Sequence, residues 1–131
     1  MRSPLSVTFY LAVLGASLSS CHNSAAVAGS VILPAVKLEA PSTITPTATL
    51  TVNVTLSPGS CTSFDRIDIR RTASEIRLTA WGVFQGALPC VPPQPLLETV
   101  QLGPPFPASF MVTVVQPQGA GADLSAAVRV Q

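Results

Sequence analysis

Charge is scarce in this chain of 131 residues. Asp, Glu, Lys and Arg together make up 10% of it, against about 25% in an ordinary soluble domain. The net charge is +1, so no basic field exists to hold a nucleic acid backbone. The single histidine, tryptophan and tyrosine shorten the catalytic menu. Nucleophilic catalysis needs a base held beside the nucleophile, and His22 lies in a stretch that reads as a mobile tether, where no rigid scaffold is expected to hold it. Three cysteines are present, none in C-x-x-C spacing, which leaves redox dithiols and zinc sites without a ligand set. No metal site and no cofactor are expected. "QGAGAD" at 118–123 precedes an extended segment rather than opening a helix, so it reads as a turn and not as a phosphate loop. The first apolar run, Leu5 to Leu18, falls short of the roughly 20 residues a spanning helix needs. Disorder is excluded as well, because 47% of the residues are apolar and disorder needs low hydrophobicity with high charge.

What is present in quantity is proline, thirteen residues, together with alternation. The prolines fit loops and strand ends and disfavour a helical domain. Between them, apolar and polar residues alternate with period two, the mark of half-buried strands. "VKLEA" at 36–40 opens the series. "ATLTVNVTL" at 48–56 points Leu50, Val52, Val54 and Leu56 to one side. "FDRIDIR" at 64–70 sends Ile67 and Ile69 inward. "EIRLTAWGVF" at 75–84 does the same with Ile76, Leu78 and Ala80. "LLETVQL" at 96–102, "SFMVTVVQ" at 109–116 and "DLSAAVRVQ" at 123–131 complete seven candidates. Seven short strands over about 95 residues predict an all-β, antiparallel two-sheet sandwich.

The charges predict one pairing. Segments 64–70 and 75–84 form a hairpin across "RTAS". A one-residue slip would flip the sides, so only even shifts keep the apolar faces together. Opposing Arg70 to Glu75 also opposes Asp68 to Arg77, both opposite in sign. The shift that opposes Arg70 to Arg77 sets like charges against each other, which subtracts stability. The first register is therefore expected. It leaves Arg66, Arg70 and Arg77 on one outward face. Strict alternation puts Trp81 on that face too, unless a bulge near Gly82 reverses it. An exposed tryptophan beside arginines is a recognition candidate. The acids Asp68 and Glu75 read as ion-pair partners of arginines. A carboxylate-based hydrolase would need two acids within about 5–10 Å in a cleft.

Residues 1–20 have the layout of a secretory signal: Arg2, an apolar stretch, then small residues. They end in "LSSC", Leu18 to Cys21, which resembles the lipobox of bacterial lipoproteins. The resemblance implies that the Cys21 thiol takes a diacylglycerol, that the chain is cut before it, and that the new amino group is acylated, commonly with palmitate. Each buried methylene contributes about 0.8 kcal/mol, and two or three chains on one residue anchor stably. It also implies a location at the cell membrane or outer membrane, facing periplasm or exterior. His22 in place of the Asp that retains such proteins at the inner membrane favours the outer one. Residues 21–35 are then a lipidated flexible tether, and 36–131 the folded domain.

Lipidation of Cys21 removes it from the cysteine count. Cys61 and Cys90 remain, and an oxidising compartment lets them pair. The stretch from "GSC" to "LPC", followed by "VQLGPPFPASFMVTVV", resembles small immunoglobulin-like domains of bacterial envelope lipoproteins. Ala108 and Ser109 stand where that pattern has glycine, and Phe110 stands where it has tyrosine, so no hydrogen-bonded tyrosine corner can form. The resemblance implies a lipid-anchored, non-enzymatic envelope protein. Its partner is another envelope protein or polymer, and Arg66, Arg70, Arg77 and Trp81 are the candidate contact surface. A purely structural lipoprotein without a discrete ligand is the alternative.

Overall fold

The computed structural model describes residues 29–85, 90 and 92–131. The signal segment, Cys21 and His22 lie outside the described residues. Among the described residues, nine strands form two facing sheets: β1 (Ser30–Ile32), β2 (Ala35–Glu39), β3 (Thr43–Ile44), β4 (Leu50–Leu56), β5 (Thr62–Arg71), β6 (Glu75–Phe84), β7 (Leu96–Leu102), β8 (Ser109–Val114) and β9 (Leu124–Val130). The smaller sheet has the order β2-β4-β7. In the larger one β6 is flanked by β5 on one edge and by β1 and β8 on the other, and β9 and β3 follow β8. Two pairings, β6–β8 and β3–β9, are parallel, so the larger sheet is mixed rather than wholly antiparallel.

Alternation places the core as expected. Leu50, Val52, Val54 and Leu56 of the central strand β4 are fully buried, facing Ile76, Leu78, Ala80, Phe110, Val112, Val114 and Val128 of the other sheet. Period two works here because each sheet has one wet face and one covered face. β5 is the exception. Its Ile67 only packs against the core margin, and Ile69 is 44% exposed. A larger sheet facing three strands overhangs them at its edge.

Two expectations are corrected. The folded body starts before residue 36: Ser30–Ile32 pairs with β6, and Leu33 and Ala35 are buried in the core. "SVIL" carries the β-branched Val31 and Ile32, which favour a strand, and Leu33 finds its place over Gly82, where a glycine lets it approach. The tether therefore cannot include residues 30–35. The hairpin register also differs. Arg70 opposes Arg77, Asp68 opposes Thr79 and Arg71 opposes Ile76. The turn decides it. The Thr72 N–H donates to the Glu75 carbonyl at 2.8 Å, and the Thr72 hydroxyl accepts from the Glu75 N–H at 3.1 Å. These bonds close a tight loop of two residues, Ala73 and Ser74. Exposed cross-strand charges contribute a few tenths of a kcal/mol, too little to open it. The slip is even, so the inward faces are kept.

Cys61 and Cys90 are joined in a disulfide. It ties the β4–β5 connection to the β6–β7 connection, two of the places where the chain crosses between sheets at this end. Cys61 has φ of +61°, a left-handed conformation that L-residues adopt at a cost. Its carbonyl accepts from the Gln85 N–H at 2.7 Å, closing the open end of the hairpin.

Two side chains fasten the ends of the sheets. Gln116, just past β8, accepts from the Ala35 N–H at 3.0 Å and donates to the Ala35 carbonyl at 2.7 Å. Its amide acts as one residue of strand where the chain passes from β1 to β2. Arg71 donates to the Gly103 carbonyl at 2.7 Å and lies 5.2 Å from the Phe106 ring centre. Phe106 stacks on the buried Phe110. Arg71 thus clamps the β7–β8 loop, which contains the cis Pro104–Pro105 bond.

Candidate functional site

The outward face of β5 and β6 carries the candidate surface. Side chains directly opposed across antiparallel strands share a side, so the register builds the face row by row. Arg66 opposes Trp81, Asp68 opposes Thr79, and Arg70 opposes Arg77. On the other flank Ile32 opposes Trp81, and Thr113 lies beside Arg77. The four residues singled out in the sequence, Arg66, Arg70, Arg77 and Trp81, therefore meet on one face. The only irregularity near Trp81 is at Asp65 on β5, between Phe64 and Arg66, and β6 runs straight through Gly82. Strict alternation holds for Trp81.

Each arginine has its own setting. The Arg66 guanidinium lies 5.7 Å from the Trp81 ring centre, within cation–π reach. It is held between Asp65 and Asp68, the latter at 3.1 Å. Hydrogen bonding to Asp65 first, and then to Asp68, raises its pKa further. Arg77 reaches Asp123 of the β8–β9 turn at 3.3 Å and Glu75 of its own strand at 3.6 Å. Asp123 also accepts the Gln116 N–H at 2.9 Å, which fixes the turn. Arg70 differs: among the described residues, no carboxylate lies within ion-pair distance of it. It sits directly across from another cation.

Trp81 is partly covered, between Ile32 and Arg66. Its Nε1 is buried and has no hydrogen-bond partner among the described residues. A buried donor left unpaired costs about 1–3 kcal/mol. Beside it a shallow groove of about 420 Å³ is lined by Ile32, Trp81, Thr79, Asp68, Arg70 and Arg77.

Three arginines on this face, Arg66, Arg70 and Arg77, stand among four acids, Asp65, Asp68, Glu75 and Asp123, so the surface has a pattern of charge but little net field. Glu39 is bound at 2.8 Å by Lys37 on the other sheet. The described residues contain no cluster of His, Cys, Asp and Glu suited to a metal ion, and no helix long and apolar enough to cross a membrane. Sequence reasoning missed Asp123 as a member of the face. It joins only because the β8–β9 turn folds over the start of β6, a contact between residues 46 positions apart.

The chain is thus an all-β sandwich with one mixed, partly apolar face. Comparison with known protein families, with curated proteins and with solved structures found no match.

Proposed function

We propose that this protein is a lipid-anchored, non-enzymatic envelope component whose β5–β6 face binds another envelope protein. The supporting observation is convergence: Trp81, Ile32 and three arginines lie side by side on one open face, around a groove. Aromatic and arginine side chains are the residue types that carry binding energy at protein interfaces. The near balance of charge favours a protein partner over an anionic polymer, which would call for an unopposed basic field. Cys21 carries the anchor in this reading, and residues 22–29 separate it from the start of β1.

Affinity capture from solubilised envelope, using the full chain, tests the face. A species retained by the wild type should be lost with Trp81→Ala and kept with Thr99→Ala, a change on the outer side of the other sheet. Equal retention by both variants refutes the assignment. Metabolic labelling with a clickable fatty acid tests the anchor, since Cys21→Ser should abolish the label. A mutant that is still labelled would refute it.

A further inference from the structure

The long edge strand β5 pairs only with β6 among the described residues. Its free edge offers backbone groups whose identity the hydrogen bonds fix. Thr72 and Glu75 form a hydrogen-bonded pair. Such pairs alternate along an antiparallel ladder, so Arg70 and Asp68 direct their backbone groups to β6. Arg71, Ile69 and Ile67 then direct theirs away from it. The far side of β6 agrees: the Leu78 and Ala80 carbonyls, opposite Ile69 and Ile67, accept from Val115 and Leu33 on β6's other edge.

From this geometry we propose that β5 pairs antiparallel with β5 of a second copy of this chain, with Ile69 on the two-fold axis. In that register Ile69 opposes Ile69 of the second copy, and Ile67 opposes its Arg71. These are the residues with outward-directed backbone groups, and each such pair exchanges two N–H···O bonds. The same register sets Asp68 against Arg70 of the second copy, and Arg70 against its Asp68, both as the closer, non-hydrogen-bonded type of pair. Arg70, which has no carboxylate within ion-pair distance among the described residues of the single chain, gains one. The exposed Ile69 gains apolar cover on the overhanging side of the sheet.

Neighbouring registers are disfavoured by the same charges, with no turn in the dimer to fix the alignment instead. Moving two residues one way opposes Asp68 to Asp68 and Arg66 to Arg70. Moving two the other way opposes Arg70 to Arg70. A charged edge strand ordinarily resists pairing; on this one the charges favour a single self-complementary alignment. One strand pair buries a small area, so the dimer is transient in free solution. Confinement of both copies to one surface would raise their effective concentration. The proposal does not depend on the docking role of the Trp81 face.

Cysteine cross-linking of the full chain tests it. Hydrogen-bonded partners in an antiparallel pair have Cα atoms about 5.5 Å apart, within disulfide reach. Ile69→Cys should give a disulfide-linked dimer under mild oxidation, above the background of the unsubstituted chain. Ile67→Cys should not, since its two copies lie on opposite sides of the axis, about 13 Å apart. In the Ile69→Cys background, Asp68→Arg or Arg70→Asp alone should weaken self-association about tenfold. The double exchange Asp68→Arg with Arg70→Asp should restore it. Trp81→Ala should leave the cross-link unchanged, which separates this result from the fate of the docking face. Four results would each overturn the pairing: no linked dimer from Ile69→Cys, equal linking from Ile67→Cys, linkage to a different protein, or failure of the double exchange to restore the dimer. A spectrum typical of β-sheet for each variant keeps misfolding from imitating these outcomes.

Discussion

Gly82 offers the sharpest test of how the sandwich is packed. A Cβ added there would lie 2.5 Å from Leu33 Cδ2 and 2.8 Å from the Ser63 carbonyl oxygen. Neither neighbour yields easily. Leu33 is 1% exposed and is held by its own N–H, which donates to the Ala80 carbonyl at 2.8 Å. Ser63 is backbone of β5, paired with Val83 next to the bulge. Overpacking of this kind costs about 1–3 kcal/mol. For a domain of roughly 100 residues, that lowers Tm by about 5–20 °C. Gly82→Ala should therefore melt well below wild type in circular dichroism with the disulfide intact. Gly103→Ala is the control, because nothing lies within 4 Å of its Cβ position, and it should melt within a few degrees of wild type, by analogy with unstrained glycine replacements worth about 0.4–1 kcal/mol. The clash also predicts coupling. Once Gly82→Ala has displaced Leu33, truncating Leu33 to Ala should cost less than the about 2–5 kcal/mol expected in the wild type. A Gly82→Ala protein that melts with wild type, or additive losses in the double mutant, would show that Leu33 does not pack as described.

Gln116→Ala strips both backbone partners from Ala35 and should cost about 1–3 kcal/mol, measured by urea unfolding; a neutral result would mean that water replaces the amide. Arg71→Ala should cost about 1–2 kcal/mol through its carbonyl bonds and its ring contact. Limited proteolysis should then cut first within residues 103–108, and an unchanged cleavage map would refute the clamp. Replacing both Cys61 and Cys90 by Ser should lower stability by about 3–4 kcal/mol on the chain-entropy model, checked by thermal melting, and a loss below about 1 kcal/mol would count against that role.

Periodicity made most of this architecture readable in advance. Leu50 to Leu56, Ile76 to Ala80 and Phe110 to Val114 show their faces in the sequence because each lies in a sheet with one covered side. Trp81 could be placed by the same rule, since the bulge falls on the neighbouring strand. The hairpin register could not, because it depends on a hydroxyl in the turn, Thr72, while the charges that suggested another alignment are exposed and weak. β1 was obscured by small residues and by its dependence on Gly82, a partner far along the chain from Leu33. β3 has two residues and exists only because β9 lies beside it. Arg77's bond to Asp123 is invisible for the same reason: nothing local to either residue announces the other.

The arrangement of β1 has a mechanical consequence. Among the described residues, three paired residues, the flanking backbone bonds of Gly29 and Leu33, and the side chain of Leu33 secure the amino end to β6, while β8 occupies the rest of that edge. Load arriving from the amino terminus meets this short ladder before it reaches the amide lock at Ala35 or any part of β4. Under tension the segment should peel away first and act as a fuse, giving up a few residues of slack while the remainder stays folded. Single-molecule pulling from the amino end should show that small early extension, and a single all-at-once rupture would count against it.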